Sequence, residues 1–326
     1  MLRKNKYSAK TLNLKPAVRC FGHFILILAL ALAIAGCAGH ARISWPITAK
    51  DLPDQYLLNS IPFFPQEESQ CGPAALAMAL AWSGVHVSPQ DLSSEVFTPS
   101  RKGSLQSAMI GTTRRHDRIA CLLFDPESLI DEVAGGHPVI VLQNLGLSWY
   151  PVWHYAVVIG LDLNRGNVIL HSGTTPQKQI SFKVFENTWA RSNFWGLLVL
   201  PPSQLPAVAK EKDYLLAVSN LERSGRWETA AEGYRTALSR WPDSLPAYMG
   251  LGVCKYETGD LKSAEAVFRE ATLKFPHDGA AFNNLAQVLM DQGRKTEALD
   301  AVMRAIERGG PLKAHFESTL EEIRNQ

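Results

Sequence analysis

The 326-residue chain has almost no excess of charge: 33 lysines and arginines against 31 aspartates and glutamates leave a formal net charge of +2. Part of that excess sits in the N-terminal run Arg3, Lys4, Lys6, Lys10, Lys15 and Arg19, so the remainder is close to neutral. No basic stripe interleaved with aromatics is present, which excludes nucleic acid as a partner. Only five cysteines occur, Cys20, Cys37, Cys71, Cys121 and Cys254, and no two stand in CxxC spacing. A zinc site and a dense disulfide framework are thereby excluded, and no metal or other cofactor is expected. A phosphate-cradling P-loop is also missing. The apolar run from Phe24 to Ala35 is too short to span a bilayer comfortably. What the chain does have is apolar material, 46% of its residues, enough for a sizeable core and two domains.

The basic run, the apolar stretch and the small residues after it follow the order of a secretory signal. The block Ile34-Ala35-Gly36-Cys37 resembles a bacterial lipobox. That resemblance implies cleavage before Cys37, lipid attachment to Cys37, and a membrane-anchored protein of the bacterial cell envelope. Ala38 in place of aspartate implies an outer-membrane lipoprotein facing the periplasm. Residues 1–36 are therefore expected to be a lipoprotein signal peptide and 37–58 a tether. Cys71, Cys121 and Cys254 then remain, an odd count for an oxidising compartment, and Cys71 is expected to stay free. Cys121 and Cys254 read as buried small hydrophobes.

Residues 59–202 mix two periodicities. Helices are expected over 73–83, from 89, over 104–115 and over 126–134. Strands follow over 138–143, 154–161, 168–171 and 194–200, with Asn164-Arg165-Gly166-Asn167 turning the middle two into a hairpin. Helices first and strands afterwards is the order of an α+β fold. Past a proline-bearing linker, 203–211, a period of 34 takes over. Gly225, Gly259 and Gly293 keep it, as do Ala230, Ala264 and Ala298, and Ala237, Ala271 and Ala305. Tyr234 matches Phe268, and Pro242 matches Pro276. This is the tetratricopeptide-repeat signature, so 212–326 is expected to be an all-α repeat domain that recruits a protein partner or substrate. Two complete repeats are expected, with partial ones on either side. Val302 at the aromatic position and Gly310 in place of proline mark an atypical cap.

The chemistry centres on Gln70-Cys71-Gly72-Pro73-Ala74-Ala75-Leu76. A proline is favourable in a first helical turn, because its missing N–H has no helical partner there. Cys71 is thereby placed at the positive end of a helix, where a nearby imidazolium would lower its pKa further. Gly72 lets the backbone approach a substrate closely. His154 opens an apolar strand, and Trp149, Tyr150 and Trp153 crowd before it, either walling a groove or packing in a core.

Gln66…Gln70-Cys71-Gly72-Pro73-Ala74-Ala75-Leu76-Ala77-Met78, taken with His154-Tyr155-Ala156-Val157-Val158-Ile159-Gly160, resembles the bacteriocin-processing cysteine peptidases. Those are papain-like domains that cut after double-glycine leaders. The resemblance implies an α+β papain-like cysteine peptidase domain over 59–202, acting on a peptide or protein substrate. It implies Cys71 as nucleophile and His154 as general base. An upstream glutamine would donate to the oxyanion, Gln66 or alternatively Gln70. The aspartate that orients the histidine in that family is missing, and His171 or Ser172 stands at its position. Asn187 is a remoter option, and Asp162 falls at the hairpin tip, facing water. With neither a P-loop nor further membrane helices, a stand-alone envelope peptidase is expected. The rival is a catalytically weak, peptide-binding scaffold.

Overall fold

The computed structural model describes residues 54–66 and 69–325. The expected signal peptide, Cys37 and residues 38–53 of the expected tether lie outside the described residues.

Six strands form one antiparallel sheet: β4 (Ile119–Leu123), β5 (Val139–Asn144), β6 (Trp153–Asp162), β7 (Asn167–Ser172), β8 (Thr175–Ser181) and β9 (Gly196–Leu200). Their order is β4-β9-β5-β6-β7-β8, and the short β1 (Gln55–Leu57) pairs with the far end of β6. Helix α1 (Cys71–Trp82) is apolar on every side, and Gly72 through Leu80 are all buried. A helix with no polar face has to lie inside. It packs with Leu92 of α2 (Pro89–Val96), Met109 of α3 (Gln106–Arg115), and Tyr155, Val157 and Ile159 of β6. The intervening residues Ala156 and Val158 point the other way, as strand alternation requires. There they meet α4 (Pro126–Ala134) and α5 (Phe182–Trp189). A two-residue ribbon, β2 (Phe97–Thr98) with β3 (Gly103–Ser104), lies between α2 and α3.

Three elements had no clear periodic signal. β8 is exposed along almost its whole length, so it has no buried face to impose alternation. β4 is a short apolar run of the kind that periodicity cannot assign. α5 has only eight residues, three of them buried.

The C-terminal helices are α6 (Glu211–Glu222), α7 (Trp227–Arg240), α8 (Leu245–Glu257), α9 (Leu261–Lys274), α10 (Gly279–Asp291), α11 (Lys295–Arg308) and α12 (Lys313–Asn325). The first helices of the pairs begin at Glu211, Leu245 and Gly279, and α12 at Lys313, each 34 residues after the last. Three complete pairs and a final single helix are present, one pair more than the sequence marks suggested. The repeat marks of the first unit fall in the turn and on α7, which left α6 without a signature. Gly225, Gly259 and Gly293 adopt φ of +71°, +77° and +74°. Each closes a helix in the left-handed conformation that only glycine enters freely: the Gly259 N–H donates to Tyr256 O (2.9 Å) and the Asp260 N–H to Lys255 O (2.9 Å). Close helix approach explains other small residues, since a Cβ on Gly250 would lie 2.2 Å from the Tyr234 ring.

Sheet and repeats share one core. Ile119 and Cys121 on β4 belong to the same buried cluster as Tyr214, Ala217, Val218 and Leu221 on α6, and the cluster continues through Tyr234 to Ala247 and Leu251 on α8. The intervening linker is pinned: buried Glu132 accepts from the N–H groups of Ala207 (3.0 Å) and Val208 (3.2 Å). Leu221→Ala should therefore cost about 2–5 kcal/mol and destabilise sheet and repeats together. Denaturation followed by tryptophan fluorescence and by far-ultraviolet circular dichroism should give superimposable curves; two separate transitions would contradict a common core.

Candidate active site

The site forms where β7 stops short. β5 pairs with β6 as far as Trp153, but β7 reaches only Val157, so one side of residues 153–156 has no neighbouring strand. Two segments enter that opening. Gln66 Nε2 donates to Tyr155 O (3.2 Å), while Gln66 Oε1 accepts from the Gly173 N–H (2.7 Å) and the Gln66 N–H donates to Gly173 O (2.9 Å). Cys71, the first residue of α1, is half-buried, and the backbone N–H groups of Tyr155, Gly72 and Cys71 favour its thiolate. Gln70 occupies the N-cap, where its side chain makes no capping bond. Gly72 is required by an internal contact rather than by substrate. A Cβ there would lie 2.2 Å from Ser104 Oγ on β3.

The register decides what faces His154. Val157 stands opposite His171, and alternation then places Ser172, Ala156 and His154 on one face and His171 on the other. His154 Nε2 lies 2.9 Å from Ser172 Oγ. His171 is engaged elsewhere: the Gln177 N–H donates to its Nδ1 (3.2 Å), its Nε2 bonds Ile61 O (3.4 Å), and its ring lies 5.1 Å from Phe63. Asn187 is exposed on α5. Asp162, expected to face water, is buried and accepts from the Arg165 N–H (2.9 Å) at the hairpin turn. Trp149, Tyr150 and Trp153 do not pack in a core, being 79%, 69% and 50% exposed.

Burial controls both titrations. The His154 ring is pushed down from 6.5 to about 4, first by desolvation and then by the charge of Lys178. Burial also raises the Cys71 thiol, against the three N–H groups that favour the thiolate. The expected lowering of its pKa is thus reversed. No hydrogen bond joins the Cys71 sulfur to the His154 ring among the described residues, and the resting pair is neutral thiol and neutral imidazole. Cys121 and Cys254 are also free, buried, and pushed up to about 12. Among the described residues no cluster of histidine, cysteine or carboxylate groups could hold a metal ion.

The arrangement supplies a thiol, a neutral base, and N–H donors at a helix start, which together suit acyl transfer. Sequence reasoning missed the part played by Tyr155, whose carbonyl accepts from Gln66 and whose N–H favours the Cys71 thiolate. Only the length of β7 reveals it. Ser104, wedged against Gly72, carried no signal either.

Two outcomes follow from the titrations. The unfolded His154 ring titrates near 6.5 and the folded ring near 4, so the unfolded chain binds more protons between those values. The ring's contribution to stability should be full above about 6.5 and be lost as pH falls toward 4; a nuclear magnetic resonance titration of His154 with a midpoint near 6.5 would contradict it. Ser172→Asp should raise the His154 midpoint and lower that of Cys71 by restoring a carboxylate behind the ring. The pH profile of Cys71 alkylation by iodoacetamide should then shift to lower pH.

Residues 58–196 match the model of the Peptidase_C39 like family, and residues 221–283 and 255–314 match two tetratricopeptide-repeat models. Among solved structures, the chain is similar to a candidate C39-like peptidase from Bacillus anthracis, at 18% identity and a TM-score of 0.38, covering 45% of this chain and 97% of that one. It is also similar to the type III secretion translocator chaperone SycD of Yersinia enterocolitica, at 21% identity and a TM-score of 0.34, covering 35% of this chain and 92% of that one. An uncharacterized protein of Aquifex aeolicus (strain VF5) is 36% identical over 90 residues, which are 28% of this chain and 11% of that protein. The chain therefore spans only about a ninth of the length of that curated relative. The α+β part of the chain, which carries Cys71 and His154, thus matches the Peptidase_C39 like family model, and tetratricopeptide repeats follow it.

Proposed function

We propose that the protein is a cysteine peptidase in which the Cys71 thiol attacks a peptide carbonyl with His154 as its base. The observation that carries this reading is the convergence of the α1 start, Gln66 and the His154 strand on the open side of Tyr155. With Nε2–H held by Ser172 Oγ, Nδ1 is the ring nitrogen left to accept the thiol proton. As the S–C bond forms, the proton passes from sulfur to that nitrogen, and the oxyanion is met by the Cys71 N–H and the second N–H of Gln66 Nε2. Gln70 is the alternative donor. The C–N bond then breaks, His154 protonates the departing amine, and water hydrolyses the thioester. A serine hydroxyl orients the ring but supplies no negative charge, so proton transfer accompanies attack instead of preceding it. Anchoring through Cys37 would hold the protein in the bacterial envelope, and the repeats would bring substrate or a protein partner to it.

A second reading, a peptide-binding scaffold with little catalysis, is favoured by the same burial that raises the thiol. Alkylation separates the two. His154→Ala should slow Cys71 alkylation near neutral pH by roughly 10²-fold if the ring acts as base. Protein N termini generated in cells carrying the wild-type chain should also disappear in cells carrying Cys71→Ala. An unchanged alkylation rate together with unchanged N termini would leave the scaffold reading.

A further inference from the structure

The two outer edges of the sheet differ in chemistry. β8, Thr-Pro-Gln-Lys-Gln-Ile-Ser, carries Pro176 and Lys178, both of which deter the addition of another strand. β4, Ile-Ala-Cys-Leu-Leu, carries neither. It pairs with β9 on one side and with no strand on the other, so half of its peptide groups face outward without a strand partner.

A cavity of about 380 Å³ runs along this edge, between β4 and the first repeat helix, α6. Apolar side chains line it and stand exposed: Leu122 and Phe124, two residues apart along the strand direction, and Leu216 on α6. Arg114, near the end of α3, also lines it. Its Nε is buried with no hydrogen-bond partner. Burial holds its guanidinium below the ordinary arginine range, and no carboxylate acts on it in return. The acidic neighbours in the lining are committed or peripheral. Glu132 binds His137, Ala207 and Val208, Asp125 binds Ser128, and Asp213 is exposed on α6. A buried, unpaired guanidinium N–H is costly, and a carboxylate satisfies it better than any neutral group.

We infer that this groove binds an extended peptide segment that adds a strand to the free edge of β4 and sets a carboxylate on Arg114. Main-chain bonds to β4 would supply sequence-tolerant affinity. The apolar wall of Leu122, Phe124 and Leu216 would take alternate side chains, and Arg114 would fix the register. Two strands, β9 and β5, separate the groove from β6 and its His154, a distance of about 14 Å at ordinary strand spacing. The site is therefore distinct from the thiol, and it stands whether or not Cys71 is catalytic. It is walled by sheet and repeats together, so an occupant contacts both parts of the chain.

The test uses the full chain carrying Cys71→Ala, so that no probe is consumed, and an array of synthetic peptides rich in valine and threonine. Each peptide is made with a free or an amidated C-terminus, and with or without an internal aspartate, which distinguishes a terminal from a side-chain carboxylate. Members that bind should lose roughly tenfold or more in affinity when their carboxylate is removed, and by a similar factor in Arg114→Gln. Phe124→Ser, a change at an exposed position, should weaken binding with no change in thermal stability. Bound peptide should slow amide hydrogen exchange at Leu122 to Phe124. Binding indifferent to Arg114→Gln, protection appearing along β8 or at the start of α1 instead, or no binding by any member would overturn the assignment.

Discussion

Tyr155 presents both its backbone N–H and its backbone C=O to the side of β6 that β7 leaves open, and the candidate site is assembled around that opening. The carbonyl takes the Gln66 amide, and the N–H favours the Cys71 thiolate. A further pair of β7 residues would have bonded to both groups, as an antiparallel neighbour does. Instead β7 ends at Ser172, and Gly173, at φ +61°, turns the chain back into β8. That reversal also delivers Ser172 to His154 and Gly173 to Gln66. One early chain reversal thus places the glutamine, the Ser172 hydroxyl and the room for the thiol.

Magnitudes explain why the site rests uncharged. A helix N-terminus favours an anion by about 0.3–1 kcal/mol, up to about 2 in partly buried settings. Desolvation can shift a fully buried group by up to about 3–5 pKa units, each worth about 1.36 kcal/mol. For Cys71 the second effect wins although three N–H groups assist the first. For His154 no carboxylate offsets burial, and Lys178 adds to it. Thiol and imidazole therefore both rest uncharged.

Much of this was legible in the residues themselves. The all-apolar helix after Cys71, the strand begun by His154 and the 34-residue spacing each reflect a local rule: burial on every side, β-branched runs, and glycine in a left-handed turn. The choice between Ser172 and His171 was not legible, because it depends on which residue of β7 faces Val157, a property of register. The thiol's pKa was misread in sign, since a helix start can be seen in sequence while the depth of its burial cannot. Gly72 was read as making room for substrate. Its neighbour proved to be Ser104, a residue whose proximity arises only when α1 and β3 pack. The shared core between β4 and α6 escaped notice for a related reason: the linker 203–211 looks like a boundary by composition, and only Glu132, far away in sequence, reveals that it is fastened.

That fastening has a thermodynamic corollary. Where two parts of a chain bury one core, a molecule that binds only the folded form of either part raises the unfolding free energy of both by RT ln(1 + [L]/Kd), about 2.7 kcal/mol at a hundredfold excess over Kd. Occupancy of the repeats would then stabilise the sheet as well, through the core that Leu221, Val218 and Ile119 share. The concentration of such a partner would become a variable in the stability of the sheet.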